Sequence, residues 1–193
     1  MTQTSICVFC GSSNAADPAY LDLATRFGRA CAQRGWRLVY GGGRVGLMGR
    51  AASAAHEAGG AVLGVMPNFL ARKEIVYRDV PHVMVATMHE RKRIMFEESD
   101  GFVVLPGGIG TLEEAVEMLS WRRLELHQKP LVFLSEDDFW RPFFALIDHT
   151  VEARLTPPDI EQAVLAANSI DDAFTAIEQR LSYTPPVEAI AKT

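Results

Sequence analysis

Short apolar runs of four to six residues alternate with helix-like stretches of eleven or more along nearly the whole chain, and no other feature restricts its fold as strongly. Residues 5–10, 37–40, 61–66, 83–86, 101–105, 130–134 and 163–166 read as strands. Residues 18–34, 47–57, 88–99, 111–126, 139–154 and 171–181 read as helices. In the first of these, Leu21, Leu23, Ala24, Phe27, Ala30 and Cys31 recur near helical spacing, and Gly35 marks the stop. Residues 68–81 read as a loop or a broken segment. Strands that are apolar throughout are buried on both faces, and strand–helix alternation sets them parallel in one sheet. The predicted fold is therefore α/β: a single doubly wound (Rossmann-like) parallel sheet with helices on both faces. One domain is expected over residues 1–182, and residues 183–193, with Pro185-Pro186, read as a loose C-terminal tail.

Composition narrows the function. Of 193 residues, 48% are hydrophobic and 22% charged, which is ordinary for a globular chain. Nineteen Lys and Arg against 24 Asp and Glu leave a net charge of −5, so a nucleic-acid partner is not expected. No apolar run approaches the roughly 18 residues that span a bilayer, and the N-terminus has no basic stretch ahead of its first strand. These features predict a cytoplasmic protein without a membrane partner. Cys7 and Cys10 have CxxC spacing, but residues three apart on a strand point to opposite faces. With Cys31 they read as buried thiols, and the five scattered histidines form no HxH or HExxH, so no metal is expected.

A doubly wound sheet binds its ligand beyond the carboxyl ends of the strands. Three glycine turns fall there: Gly11-Ser12-Ser13, the stretch from Gly41 to Gly49, and the stretch from Pro106 to Thr111. Gly41-Gly42-Gly43-Arg44-Val45-Gly46 fits GxGxxG but follows the second strand. The third strand ends in Val65-Met66-Pro67-Asn68, without the carboxylate that would hold a dinucleotide ribose. It reads as a tight turn that also touches ligand. Pro106-Gly107-Gly108-Ile109-Gly110-Thr111-Leu112-Glu113-Glu114 is more informative. A strand delivers it and a helix leaves it, so backbone N–H groups and a positive dipole end converge on a phosphate seat. Thr111 and Glu114 also satisfy T-x-x-E, a capping box, in which Glu114 would merely fold back on the Thr111 amide. Two adjacent carboxylates repel a phosphate, so Glu113 or Glu114 must point elsewhere.

In Met88-His89-Glu90-Arg91-Lys92-Arg93-Ile94-Met95, the two methionines share a helix face, with Arg91 and Lys92 on that stripe. A half-buried cation needs an anion, so these two await a ligand phosphate or a protein carboxylate. Arg93 lies off the stripe and can pair with Glu97.

The stretch PGGIGTLEE matches the PGGxGTxxE motif of the LONELY GUY (LOG) family, and MHERK matches its second signature. The chain resembles that family over roughly its first 150 residues. The resemblance implies a phosphoribohydrolase that cleaves the N-glycosidic bond of cytokinin or adenine nucleoside 5′-monophosphates, releasing the free base and ribose 5-phosphate. It implies Arg91 and Glu114 as the catalytic pair. It implies substrate contacts from Gly11, Ser12, Gly42, Gly43, Glu74, Met88 and Lys92, and from Gly107, Gly108, Ile109, Gly110, Thr111, Leu112, Glu113 and Ser120. Ser120 stands where a threonine is common and keeps its hydroxyl. A homodimer is implied too. The stretch Trp121-Arg122-Arg123-Leu124 has interface-like composition, yet equally suits a helix on its own core. Members of this family are often labelled lysine decarboxylases. The chain has only Lys73, Lys92, Lys129 and Lys192, none in a pyridoxal-phosphate context, and the expected chemistry needs no cofactor. The competing expectation is a nucleotide or cofactor carrier on the same fold, in which Glu114 only caps its helix.

Overall fold

The computed structural model describes residues 3–71 and 76–182. Seven parallel strands form one sheet: β1 (Ser5–Phe9), β2 (Arg37–Tyr40), β3 (Val62–Pro67), β4 (His82–Val85), β5 (Gly101–Val104), β6 (Leu131–Leu134) and β7 (Leu165–Ala167). Their order is β4-β3-β2-β1-β5-β6-β7. The chain winds outward from β1 through β4, then returns to the other side of β1 with β5. That reversal opens a crevice beyond the carboxyl ends of β1 and β5. The linking helices are α1 (Pro18–Gln33), α2 (Gly46–Glu57), α3 (Met88–Glu97), α4 (Ile109–Arg123), α5 (Arg141–Glu152), α6 (Ile160–Ala163) and α7 (Ile170–Ser182).

Each central strand feeds two cores by alternation. Ile6 and Val8 of β1 join Leu38, Tyr40, Val103, Val132 and Leu134 beneath α1, α2 and α7. Cys7 and Phe9 join Val39, Phe102, Val104, Leu131 and Phe133 beneath α3, α4 and α5. The doubly wound reading and the opposite facing of Cys7 and Cys10 both hold, since Cys10 packs against the first core and Cys7 lies in the second.

Among the boundaries that differ from the sequence reading, two have a clear physical reason. The last strand is Leu165–Ala167, because residues 160–163 close a single helical turn ahead of it. The helix after β5 begins at Ile109, with Gly108 as its N-cap (φ −98°, ψ −155°), rather than at Thr111. Thr111 and Glu114 are therefore interior positions and form no capping box. A capping arrangement of that type occurs one helix earlier. The Thr87 hydroxyl accepts from the Glu90 amide at 3.1 Å, and the Glu90 carboxylate accepts from the Ala86 amide at 2.9 Å. No helix of the described residues is long and apolar enough to cross a membrane.

Gly46 fixes where α2 starts. Its φ is +62°, and a Cβ there would lie 2.5 Å from the carbonyl carbon of Ser12 and the amide nitrogen of Ser13. Its own amide donates to the Asn14 carboxamide at 2.8 Å. The start of α2 is thus pressed against the turn after β1. Gly46→Ala meets both a left-handed backbone and a backbone clash, so it should cost roughly 2 kcal/mol or more. Thermal unfolding would check this: the melting temperature should fall by roughly 4 °C or more.

Candidate active site

The turns after β1 and β5 are tied across the crevice. The Gly11 amide donates to the Pro106 carbonyl at 3.1 Å, and the Met48 amide of α2 donates to the Gly11 carbonyl at 3.1 Å. Between these turns lies a cavity of about 350 Å³. Gly11, Ser12 and Ser13 line one wall, and Gly41 and Met48 a second. Gly108, Ile109, Gly110 and Thr111, from the start of α4, line a third. Arg91 of α3 and Glu114 of α4 enter the same space.

Arg91 and Glu114 face each other almost fully buried. Their side chains are 10% and 11% exposed, and Nη1 of Arg91 lies 3.7 Å from Oε1 of Glu114. That spacing is an ion pair without a tight hydrogen bond. Nη2 of Arg91 donates to the Gly41 carbonyl at 3.2 Å, while Nε has no partner among the described residues. A Cβ on Gly41 would fall 1.9 Å from Nη2, so this glycine makes room for the guanidinium. Both side chains border the cavity. Burial pushes the Glu114 carboxyl up to about 7, against the pull of Arg91. A carboxyl with that affinity exchanges its proton near neutral pH, which suits acid–base or electrostatic work.

The α4 start offers the opposite charge preference. No side chain caps it. The N–H groups of its first turn therefore lack intrahelical acceptors and point along the positive end of the helix dipole. A Cβ on Gly108 or Gly110 would meet no protein atom within 4 Å, and neither has positive φ. Packing does not require glycine at either position, and the missing side chains leave the amides open to a ligand.

Of the other expected site residues, some flank the cavity. Glu113 turns outward to Lys92, whose ammonium also lies 3.0 Å from Glu117. This resolves the crowding of two adjacent carboxylates: Glu114 faces the cavity and Glu113 the flank. Lys92 thus meets protein carboxylates. Met88 lies against Arg91, with its sulfur 4.0 Å from Nη1. Gly42 and Gly43 continue the turn behind Gly41, and Gly43 bridges to Val76. Gly107 lies beneath the Thr111 side chain, where a Cβ would clash with Oγ1 at 2.1 Å. Leu112 is half-buried against the second core, while Ser120 is exposed further along α4. Glu74 lies outside the described residues, as does the tail 183–193. Ser13, Gly41 and Met48 also line the cavity, from the two glycine turns expected to meet ligand but not among the individual contacts expected there, and Val8 and Cys10 line it from the end of β1 with no sequence signal to mark them.

A family model described as "Possible lysine decarboxylase" matches residues 48–179. A cytokinin riboside 5′-monophosphate phosphoribohydrolase from Rhodococcoides fascians is 42% identical over 178 residues, 91% of this chain and 90% of that protein. The cytokinin riboside 5′-monophosphate phosphoribohydrolase LOG of Oryza sativa subsp. japonica is 39% identical over 184 residues, 95% of this chain and 75% of that protein. The chain belongs to the LOG family. Its fold also matches the molybdenum cofactor binding protein of Rippkaea orientalis, with a TM-score of 0.71, 26% identity, and coverage of 94% of this chain and 99% of that one. For the molybdenum cofactor carrier protein of Chlamydomonas reinhardtii the TM-score is 0.72 at 24% identity, covering 94% and 100%, a likeness of fold alone. The decarboxylase description of this LOG-family chain finds no lysine at the cavity among the described residues. Lys92 is held by Glu113 and Glu117, and Lys129 donates to the Phe96 carbonyl at 2.6 Å. Lys73 and Lys192 lie outside the described residues.

The raised Glu114 carboxyl carries a stability signature. Its ordinary value is 4.5, and in the folded protein it titrates near 7. The folded state therefore loses stability as pH rises through this window, because the buried group must ionise, and the loss is complete above it. Glu114→Gln does not titrate. The melting-temperature advantage of Glu114→Gln over the parent should grow between pH 5 and pH 8, corresponding to about 2–3 kcal/mol. A pH-independent difference between the two unfolding curves would contradict the burial assigned to Glu114.

Proposed function

We propose that the protein hydrolyses the N-glycosidic bond of adenine or cytokinin nucleoside 5′-monophosphates, releasing the free base and ribose 5-phosphate. The observation that carries this reading is the buried Arg91–Glu114 pair in the same cavity as the uncapped start of α4. The 42% identity to a cytokinin riboside 5′-monophosphate phosphoribohydrolase supports it.

In this reading the 5′-phosphate rests on the amides from Gly108 to Thr111, where the helix dipole favours an anion. The ribose then lies over Gly11 and Ser12, with its anomeric carbon toward Glu114. Bond breaking develops positive charge on that carbon, and the Glu114 carboxylate stabilises it from within a nearly dry site. Water supplies the new oxygen at the anomeric carbon, and one of its protons leaves with the base. Arg91 neutralises Glu114 and faces the charge that develops on the departing purine. Phosphate binding remote from the broken bond serves to position the sugar. Lys92 and Glu113 act at the rim, and Glu74 completes the substrate contacts. The ionised form of Glu114 does the work, so kcat/KM rises with pH through about 7.

A homodimer in the cytoplasm belongs to the same proposal. Ile109 and Val116 of α4 and Leu124 just past its end are exposed apolar side chains, and Ile109 also lines the cavity. Trp121 instead packs edge-on against Phe96 within its own subunit. Sedimentation of the purified protein reads the dimer directly.

Incubation with a panel of nucleoside monophosphates, with chromatography of released base, tests the function. AMP or a prenylated AMP should release base, and adenosine should react far more slowly. Arg91→Ala and Glu114→Ala should each lose roughly 10²–10⁴-fold in turnover while staying folded. Binding of AMP without adenine release would make the protein a carrier and overturn the reading.

A further inference from the structure

We infer that His82 is a positioning residue for the Arg91–Glu114 pair: its imidazole fixes the Gly41-Gly42 turn whose Gly41 carbonyl receives Arg91. The inference rests on the reading of Arg91 and Glu114 as the working pair.

His82 opens β4, and both of its ring nitrogens meet backbone carbonyls. Nε2 lies 3.1 Å from the Gly42 oxygen and Nδ1 lies 2.8 Å from the Val80 oxygen. Protonated on Nε2, the ring donates to Gly42; protonated on both nitrogens, it donates to both carbonyls. The Gly42 oxygen also accepts the Tyr77 amide at 3.2 Å, and Gly43 bridges to Val76. His82 therefore joins the turn after β2 to the segment that leads into β4.

The ring has a fitted seat. A Cβ on Gly64 of β3 would lie 2.4 Å from His82 Cδ2, and one on Gly42 would lie 3.2 Å from the same atom. Two glycines thus leave the space that the imidazole fills. The Tyr40 ring closes the seat edge-on at 6.3 Å between centroids.

The turn and the guanidinium move together. Arg91 passes over Gly41 so closely that a Cβ would fall 1.9 Å from Nη2, and the same atom donates to the Gly41 carbonyl. Displacing the turn displaces the cation that faces Glu114. His82 contributes no atom to the cavity lining. It acts through the backbone.

The test compares two side chains that fill the seat. His82→Leu removes the donors, while His82→Gln keeps one; His82→Met replaces His82→Leu if the latter does not fold. The readout is the carbon-13 NMR titration of the Glu114 carboxyl in substrate-free protein, with Glu114→Gln to assign the resonance. The charged and titratable groups around that carboxyl are Arg91 and Lys92 of α3, Glu113 and Glu117 of its own helix, Cys7 of β1 and Cys10 just after it. Arg91 holds the carboxyl down, so loosening Arg91 raises its titration. We expect His82→Leu to titrate about half a pH unit or more above the parent, and His82→Gln to match the parent. With AMP, His82→Leu should lose about tenfold in kcat with little change in KM. A His82→Leu titration equal to the parent, or a His82→Gln titration that follows His82→Leu, would overturn the role. The titration uses no substrate. A parent protein that releases no base while His82→Leu still shifts Glu114 would refute the hydrolase reading and leave the positioning role standing.

Discussion

The reversal of winding at β1 is the constraint on which the site depends. Because β2 and β5 both pair with β1, the turns that leave β1 and β5 are forced side by side. Backbone hydrogen bonds from the Leu105 amide to the Phe9 carbonyl and from the Gly11 amide to the Pro106 carbonyl then hold the two turns together at the floor of the crevice. The start of α4 and the start of α2 both open onto that gap. A sheet that wound in one direction only would place these turns apart, and no cavity would form between them.

Within the crevice, electrostatics and burial oppose one another. Burying Glu114 disfavours its charge, and Arg91 opposite restores part of it. Burial wins, lifting the carboxyl from its ordinary 4.5 to about 7 and leaving it poised near neutrality. Glu113 and Glu117 push the carboxyl further up, and Lys92, which gathers both on the flank of α4, pulls it down. Charge separation across one helix thus gives a cavity wall with a single carboxylate. A carboxylate that shared its wall with two others would sit at higher proton affinity and repel a phosphate.

The strand–helix alternation was legible because each strand is short, apolar and bounded by glycine or proline. Most predicted elements fall within two residues of those observed. The misplacement at α4 is instructive. T-x-x-E is a local pattern, and at Thr111 it lost to a helix that begins two residues earlier on Gly108, where no side chain is needed as a cap. The same pattern from Thr87 to Glu90 does cap a helix. Local motifs state what a residue can do, and the neighbouring chain decides whether it does it.

The sequence by itself determined the fold class and the two signature stretches, since these follow from periodicity and from runs of contiguous residues, while Arg91 and Glu114 came together as a pair only through the resemblance to the LOG family. Only the tertiary structure decided that Glu114 faces the crevice while Glu113 faces away. It alone seated Arg91 on the Gly41 carbonyl, and it alone brought His82 behind the glycine turn. These facts depend on the pairing of β3 with β4 and the packing of α3 across residues about 20 to 50 positions apart in the chain. A linear pattern carries the chemistry of each side chain, and direction and distance between remote side chains exist only once the sheet has formed.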